Sequence, residues 1–381
     1  MSDELACRSC GSDQLVEVMD LGAVPPSDVF PLEDAPGPDP RVPLVLVFCT
    51  ACRLVQLGPT ASTVPEQPMA VDSQTALRQA RASVERVVRD EGLVAGQTFV
   101  EHDSGHGCSW APFFEEAGLV RAADGEPADL VVDVHHLMHY EDVDPVIARH
   151  AARLAPGGVL LLEFFHARPM VVKTLVDTVR HGHFVYFTVL AAVPLLERHG
   201  LVATGAREVP AYGGSVQLSA RRLADSPEVG REVEDLQAAE LADGLGDVAA
   251  LTAFGERSTG VATAFHDHLA ALATSGRSVA AYGAPSKAPV LLALAGVDRS
   301  LLPFTVDLSP AKAGRRIPGA GVPIRTVEEL IEARPDDVVV LTWDIADEVA
   351  AQLATMSAGT GWNPRLYVPL PEPREISLPK V

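Results

Sequence analysis

Four of the chain's five cysteines fall as two C-x-x-C pairs, Cys7-Arg8-Ser9-Cys10 and Cys49-Thr50-Ala51-Cys52. Each pair sits on a tight turn, CRSCG and CTACR, that can aim two thiolates at one ion, and four sulfurs suit tetrahedral Zn²⁺ in a zinc ribbon. A closed site of this kind has no open coordination position, so its expected role is structural. A disulfide framework belongs to oxidising compartments, and a thioredoxin-like redox centre needs one pair rather than two. Cys108 stands apart and reads as a small core residue. Histidines form a second group able to do chemistry. His135, His136 and His139 lie in HHLMHY, and His181 and His183 lie in Arg180-His181-Gly182-His183. Any one of them is as readily a hydrogen-bonded structural residue, but several titratable groups gathered in one pocket point to proton transfer. The third group is the loop EHDSGHG, 101–107, with Asp103, Gly105 and Gly107. An acid and closely spaced glycines between a strand and a helix are the usual cradle of a nucleotide cofactor.

These residues need elements to position them. The run GQTFV reads as a strand before the loop and SWAPFFEEAGL as a helix after it. PADLVVDV, a helix from Pro145 to Leu154 and PGGVLLLEFF continue a strand–helix–strand alternation, the pattern of a parallel α/β sheet. Residues 225–274 read as two helices broken near Gly244 to Gly246. Beyond them SVAAYGAPSKA reads as a strand, a turn and a helix start, with Lys287 beside the backbone N–H groups as an anion site. FTVDLS then ends a second strand at Asp307, followed by a basic loop with Lys312, Arg315 and Arg316, where a merely solvated loop is an equal reading. DDVVVLTWDIADEVAAQL adds a further strand and helix, completing a second doubly wound region.

Composition narrows the function classes. The chain has 381 residues, enough for two or three domains. Fifty-one acidic residues against 30 basic ones give a formal net charge of -21, which repels a polyphosphate backbone and argues against a nucleic-acid partner. No uncharged apolar stretch approaches the roughly 18 to 20 residues of a membrane span. The start, MSDELACRSCGSDQ, has neither a basic region nor an apolar core, so the cytoplasm is the expected compartment. A small molecule is the expected partner, and nothing in the sequence sets the oligomeric state.

The paired C-x-x-C motifs, LAPGGVLLLEFF, DTVRHGHFVYFTVLAAVPLLERHGL (177–201), PAYGGSVQLSARR (210–222), VAAYGAPSKA and VDLSPAKAGRRIPGAGVPI occur together and in order. In this the chain resembles the deoxysugar C-methyltransferases of antibiotic biosynthesis, from Cys7 to about Leu366. The resemblance implies an α/β chain of three parts: a small zinc-binding domain (1–65), a central class I methyltransferase-like, reduced Rossmann-like domain (66–222) and a C-terminal Rossmann-like domain (223–381). It implies a nucleotide-linked keto-sugar as substrate, deprotonated beside its carbonyl and methylated by S-adenosylmethionine. It makes His181, His183 and His139 the catalytic candidates. Arg180, Gly213, Gly214, Ser215, Tyr282 and Lys287 become the substrate-side candidates, and Asp103, Gly105 and Gly107 the cofactor-side candidates.

Two departures set this chain apart from the family pattern. The family's Tyr-His-Glu-His stretch is Arg180-His181-Gly182-His183 here, so a carboxylate next to the histidines is gone, and His135 and His136 stand where asparagines are usual. Between Gly107 and Asp129 lie only 21 residues, where the family order calls for a helix, a strand ending in a ribose-binding acid, a second helix and a third strand. A single strand–helix–strand unit already takes about 30 residues. VRAADGEP reads as a turn or connecting loop. The sequence therefore favours an enzyme on this scaffold that no longer depends on S-adenosylmethionine and uses its histidines for isomerisation, cyclisation or elimination. An active sugar C-methyltransferase is the alternative, and a non-catalytic partner the third reading.

Overall fold

The computed structural model describes residues 5–27, 29–59, 69, 71–103, 108–371 and 373–379, and of Asp103 the backbone alone. Leu15–Val24 and Val42–Cys49 pair antiparallel, and Val55–Leu57 extends them. The fourth strand of this sheet, Val185–Tyr186, comes from the middle of the chain. The amino-terminal module is thus stitched to the segment that carries the Arg180–His183 stretch.

The central sheet runs in the order Val120–Arg121, Thr98–Asp103, Ala128–Val134, Leu154–Phe165, Ser215–Arg222, Leu201–Val209. Its first four strands are parallel, and Ser215–Arg222 runs antiparallel to both of its neighbours. ADLVVDV and VLLLEFF are buried almost without a break, as strands covered on both faces must be. Helix Gln74–Asp90 starts at Ser73, whose hydroxyl accepts from the Ala76 N–H, and sets Ala80, Val84 and Val87 at helical spacing against Phe99, Leu130 and Leu161. That stripe fixes which residues its other side presents. Helix Arg231–Ala242 also packs on this sheet, against Leu201–Val209. Its Glu240 is fully buried and accepts from the Val189 and Leu190 N–H groups at the start of helix Val189–Arg198, at 2.7 and 2.8 Å.

The short segment after the opening loop is resolved plainly. Glu101 accepts from Ser109 Oγ and from the Trp110 and Ala111 N–H groups, so it caps helix Ala111–Glu116. VRAADGEP corrects the sequence expectation in part. Val120–Arg121 forms a two-residue strand on the sheet edge beside Thr98 and Phe99, because two exposed residues suffice to continue a parallel ladder. Ala122 to Pro127 then turn directly into Ala128–Val134, so among the described residues the second helix and the third strand are absent from this segment.

The C-terminal sheet has seven strands, with a parallel centre of Val322–Arg325, Thr305–Val306, Val279–Tyr282, Asp337–Val340 and Arg365–Val368. Arg315–Ile317 and Arg374–Ile376 close its edges antiparallel. The two helices expected over 225–274 are Arg231–Ala242 and Val248–Thr274, the latter lying across Leu15–Val24. Arg315 and Arg316 are not a solvated loop. Arg315 donates to the Phe30 carbonyl at 2.7 Å and Arg316 pairs with Asp39, both across to the amino-terminal module. One apolar core runs from that module into the C-terminal region. No helix among the described residues is long and apolar enough to cross a membrane.

Candidate functional site

The four cysteines converge. Cys7 and Cys52 sulfurs are 3.5 Å apart, Cys10 and Cys49 are 3.7 Å apart, and all four lie within 4.8 Å of one another. A zinc ion about 2.3 Å from each sulfur sets tetrahedral sulfurs about 3.8 Å apart, so the residues present fit it. Both turns are built alike: Gly11 N–H donates to the Cys7 carbonyl and Arg53 N–H to the Cys49 carbonyl, and both donors are left-handed, at φ 71° and 65°. The hydrogen bond shared by the Cys7 and Cys52 sulfurs pulls Cys7 toward thiolate and pushes Cys52 up. A bound zinc here would cross-link two chain segments and supply no chemistry.

A cleft of about 440 Å³ lies at the carboxyl ends of both parallel sheets, where open α/β folds bind ligands. Helix Gln74–Asp90, the 134–139 turn, the 178–183 loop, the 209–212 turn and the C-terminal loops around Lys287 and Asp344 line it, largely with apolar side chains. His135 Nε2 lies 3.0 Å from Glu163, whose other oxygen accepts from Gln217 at 2.7 Å; Gln217 also donates to Ser83. His135 and Tyr212 are both non-glycine residues in the left-handed region, at φ 53°, and their rings meet edge to face at 4.9 Å. Two such residues touching in one cleft mark strained backbone of the kind functional sites retain. Burial, and next the Glu163 charge, pushes the Tyr212 phenol well above its ordinary value.

The catalytic candidates separate. His139 Nδ1 donates to the Gly182 carbonyl at 3.0 Å, which puts the ring's lone pair on Nε2. His183 accepts from Arg180 at 2.6 Å, and its ring stands edge-on to His139 at 5.1 Å. His139, His183 and Arg180 all line the cleft. His181 does not. It is 2% exposed, its Nε2 donates to the Pro43 carbonyl at 3.1 Å, and burial lowers its pKa, so its place is in the seam with the amino-terminal module. His136 turns toward Tyr140, 3.0 Å away, and Asp133.

The substrate-side candidates divide likewise. Lys287 lies in the cleft, paired with Asp344 and 3.8 Å above the Trp343 ring. Tyr282 is buried with its hydroxyl donating to Gln352 at 2.7 Å, away from the cleft lining. Gly213 and Gly214, at φ 91° and 142°, serve close packing. A Cβ on the first would meet Trp343 at 2.4 Å and one on the second Pro169 at 2.7 Å. Ser215 donates to the Ala211 carbonyl at 3.0 Å. This turn holds Tyr212 in place. Sequence reasoning passed over Glu163, Tyr212, Arg86, Trp343 and Asp344. Glu163 alone carried a signal, a lone carboxylate inside the apolar run VLLLEFF.

Asp177 is a buried carboxylate just behind this wall. It accepts from Trp343 Nε1 at 2.7 Å, and burial pushes it up to about 6 against the opposing effect of Lys287. Because the folded value is raised, its contribution to stability is complete below the unfolded value of 3.8 and is lost as pH rises through about 6. Asp177→Asn, which keeps an oxygen for Trp343, should therefore raise the melting temperature at pH 8 and give a smaller gain near pH 4.5. The difference should be on the order of 2 kcal/mol. Melting curves with an equal gain at both pH values would rule this out.

The described residues supply only part of what the sequence expects around S-adenosylmethionine. Gly105 and Gly107 lie outside the described residues, as does the Asp103 side chain. The strand that should end in a ribose-binding acid is two residues long and runs into Ala122 and Ala123. Glu101, the other acid of the loop, is spent on capping Ala111–Glu116.

Comparisons with known proteins bear on the whole chain. Residues 210–371 match the family model described as the C-methyltransferase C-terminal domain, and residues 7–64 match a zinc binding domain model. The chain is 28% identical to the C-methyltransferase NovU of Streptomyces niveus, over 97% of this chain and 96% of that protein. Among solved structures, the magnesium protoporphyrin IX methyltransferase of Synechocystis PCC 6803 overlaps 38% of this chain and 82% of its own, at 15% identity and a TM-score of 0.29. The N-methyltransferase NodS of Bradyrhizobium japonicum overlaps 41% and 99%, at 15% identity and the same TM-score. In its cysteine knuckles, its C-terminal domain and nearly its whole length, the chain resembles the zinc-containing C-methyltransferases.

Proposed function

We propose that the protein moves a proton at the carbon beside a carbonyl of a small natural-product intermediate, and does so without S-adenosylmethionine. The observation that supports this reading is the contrast between two parts of one site: the 108–128 segment holds one short helix and a two-residue strand, while the cleft beside it keeps a histidine of fixed tautomer. His139 Nε2 is the base in this reading. It takes the acidic proton, becomes imidazolium, and returns the proton either to another carbon, which gives isomerisation, or to a leaving group that the enolate electrons expel from the neighbouring carbon, which gives elimination. Arg180 supplies the positive charge that favours the enolate oxygen, and His183 orients Arg180. Lys287 and Asp344 neutralise each other at the C-terminal wall.

The test is calorimetry with S-adenosylmethionine and S-adenosylhomocysteine. Binding no tighter than about 1 mM, roughly 4 kcal/mol, is expected, against micromolar for a working site. Micromolar affinity, or methyl incorporation into a nucleotide-linked keto-sugar, would restore the second reading, an active sugar C-methyltransferase. The near full-length similarity to a C-methyltransferase favours that second reading.

A further inference from the structure

Among the described residues the cleft presents four Arg and Lys side chains, and three of them are already matched. Lys287 pairs with Asp344, Lys312 donates to the Ala284 carbonyl at 2.8 Å and lies 3.3 Å from Asp307, and Arg180 holds His183. Arg86 is different. It lies on helix Gln74–Asp90, and the stripe that seats Val84 and Val87 on the sheet turns it to the cleft. Among the described residues its one hydrogen bond is a 3.3 Å contact to Ser83 Oγ, and its Nε is buried with no partner.

The carboxylates around Arg86 are occupied elsewhere. Glu163 is held by His135 and Gln217. Asp90 is taken by Arg89 at 2.9 Å and Arg207 at 3.5 Å. Asp72 and Asp344 also line the cleft, and neither lies within ion-pair distance of Arg86. Burial and the charge of Arg207 act against the Arg86 cation, with Asp90 and Glu163 offsetting them only at a distance. A partly buried guanidinium without a carboxylate is costly to keep unless a ligand supplies one.

We propose that Arg86 anchors a single carboxylate on an otherwise apolar carbonyl substrate. The assignment deepens the proton-transfer reading and rests on it for the carbonyl. The apolar lining takes the body of such a molecule. A nucleoside diphosphate, with two phosphates to neutralise, finds Lys287 and Lys312 already paired.

Phenylpyruvate, the neutral ketone phenylacetone and thymidine diphosphate are the probes, titrated calorimetrically into the full chain. Phenylpyruvate should bind about 10-fold or more tighter than phenylacetone, the scale of a charge-assisted bidentate contact. In Arg86→Gln that gap should shrink to about 2-fold or less, and Arg86→Lys, which keeps the charge, should restore part of it. Arg207→Gln should leave the gap in place. Thymidine diphosphate binding tighter than phenylpyruvate overturns the assignment, as does a gap that survives Arg86→Gln. Deuterium uptake at the carbon beside the carbonyl, read by NMR, separates the two claims. An Arg86-dependent gap without uptake keeps the anchor and sinks the proton transfer. Uptake with an Arg86-independent gap does the opposite.

Discussion

Cys49→Ala should reduce the metal content from about one zinc per chain to near zero and lower the melting temperature by on the order of 10 °C. The loss is large because a bound zinc would join the two knuckles through metal–sulfur bonds, far stronger than the hydrogen bonds between them. Cys7 and Cys10 sit before the first strand, whereas Cys49 ends the second, and apart from a shared ion the turns are joined by hydrogen bonds such as Thr50 N–H to the Gln14 carbonyl at 2.9 Å. Removing one thiolate leaves three ligands and an open position, which turns a closed structural site into a labile one. Damage should reach the cleft only indirectly, through Val55–Leu57, whose neighbour Val185–Tyr186 follows the Arg180–His183 stretch. Elemental analysis of fresh, unchelated wild-type protein that finds no metal would remove the claim before any variant is made.

His139→Ala should slow deuterium exchange at the substrate carbon by about 100-fold or more, the usual scale for losing a general base. The three histidines should then rank by what each touches. His183→Ala should cost less, because Arg180 stays in the cleft with its orientation loosened. His181→Ala should leave exchange within a few-fold of wild type and lower stability instead, since its partner is the Pro43 carbonyl in the amino-terminal sheet. Exchange in His139→Ala within about 3-fold of wild type would move the chemistry to another group, with Tyr212 and His135 the neighbours left to test.

Much of the scaffold was legible in the residues. Two C-x-x-C pairs name their own geometry, because four thiolates on two tight turns suit one tetrahedral ion. Apolar runs such as LVVDV and VLLLEFF fix buried parallel strands, and Gly244 to Gly246 marked the break between Arg231–Ala242 and Val248–Thr274. That only 21 residues separate Gly107 from Asp129 is arithmetic, and the structure fills the segment with one helix and a two-residue strand.

Spacing could not decide which way each side chain faces. His181 and His183 are two residues apart, yet one seals the seam with Pro43 and the other holds Arg180 in the cleft. Tyr282 and the 213–214 glycines sit beside the cleft and serve packing, while Tyr212, Glu163 and Arg86, from separate stretches, face into it. A motif records which residues are neighbours along the chain. Which of them share a cavity depends on strand register, on the left-handed turns at His135 and Tyr212, and on carboxylates such as Glu101 and Glu240 that anchor helices from a distance. Those are contacts between segments far apart in sequence, and only the packed chain sets them.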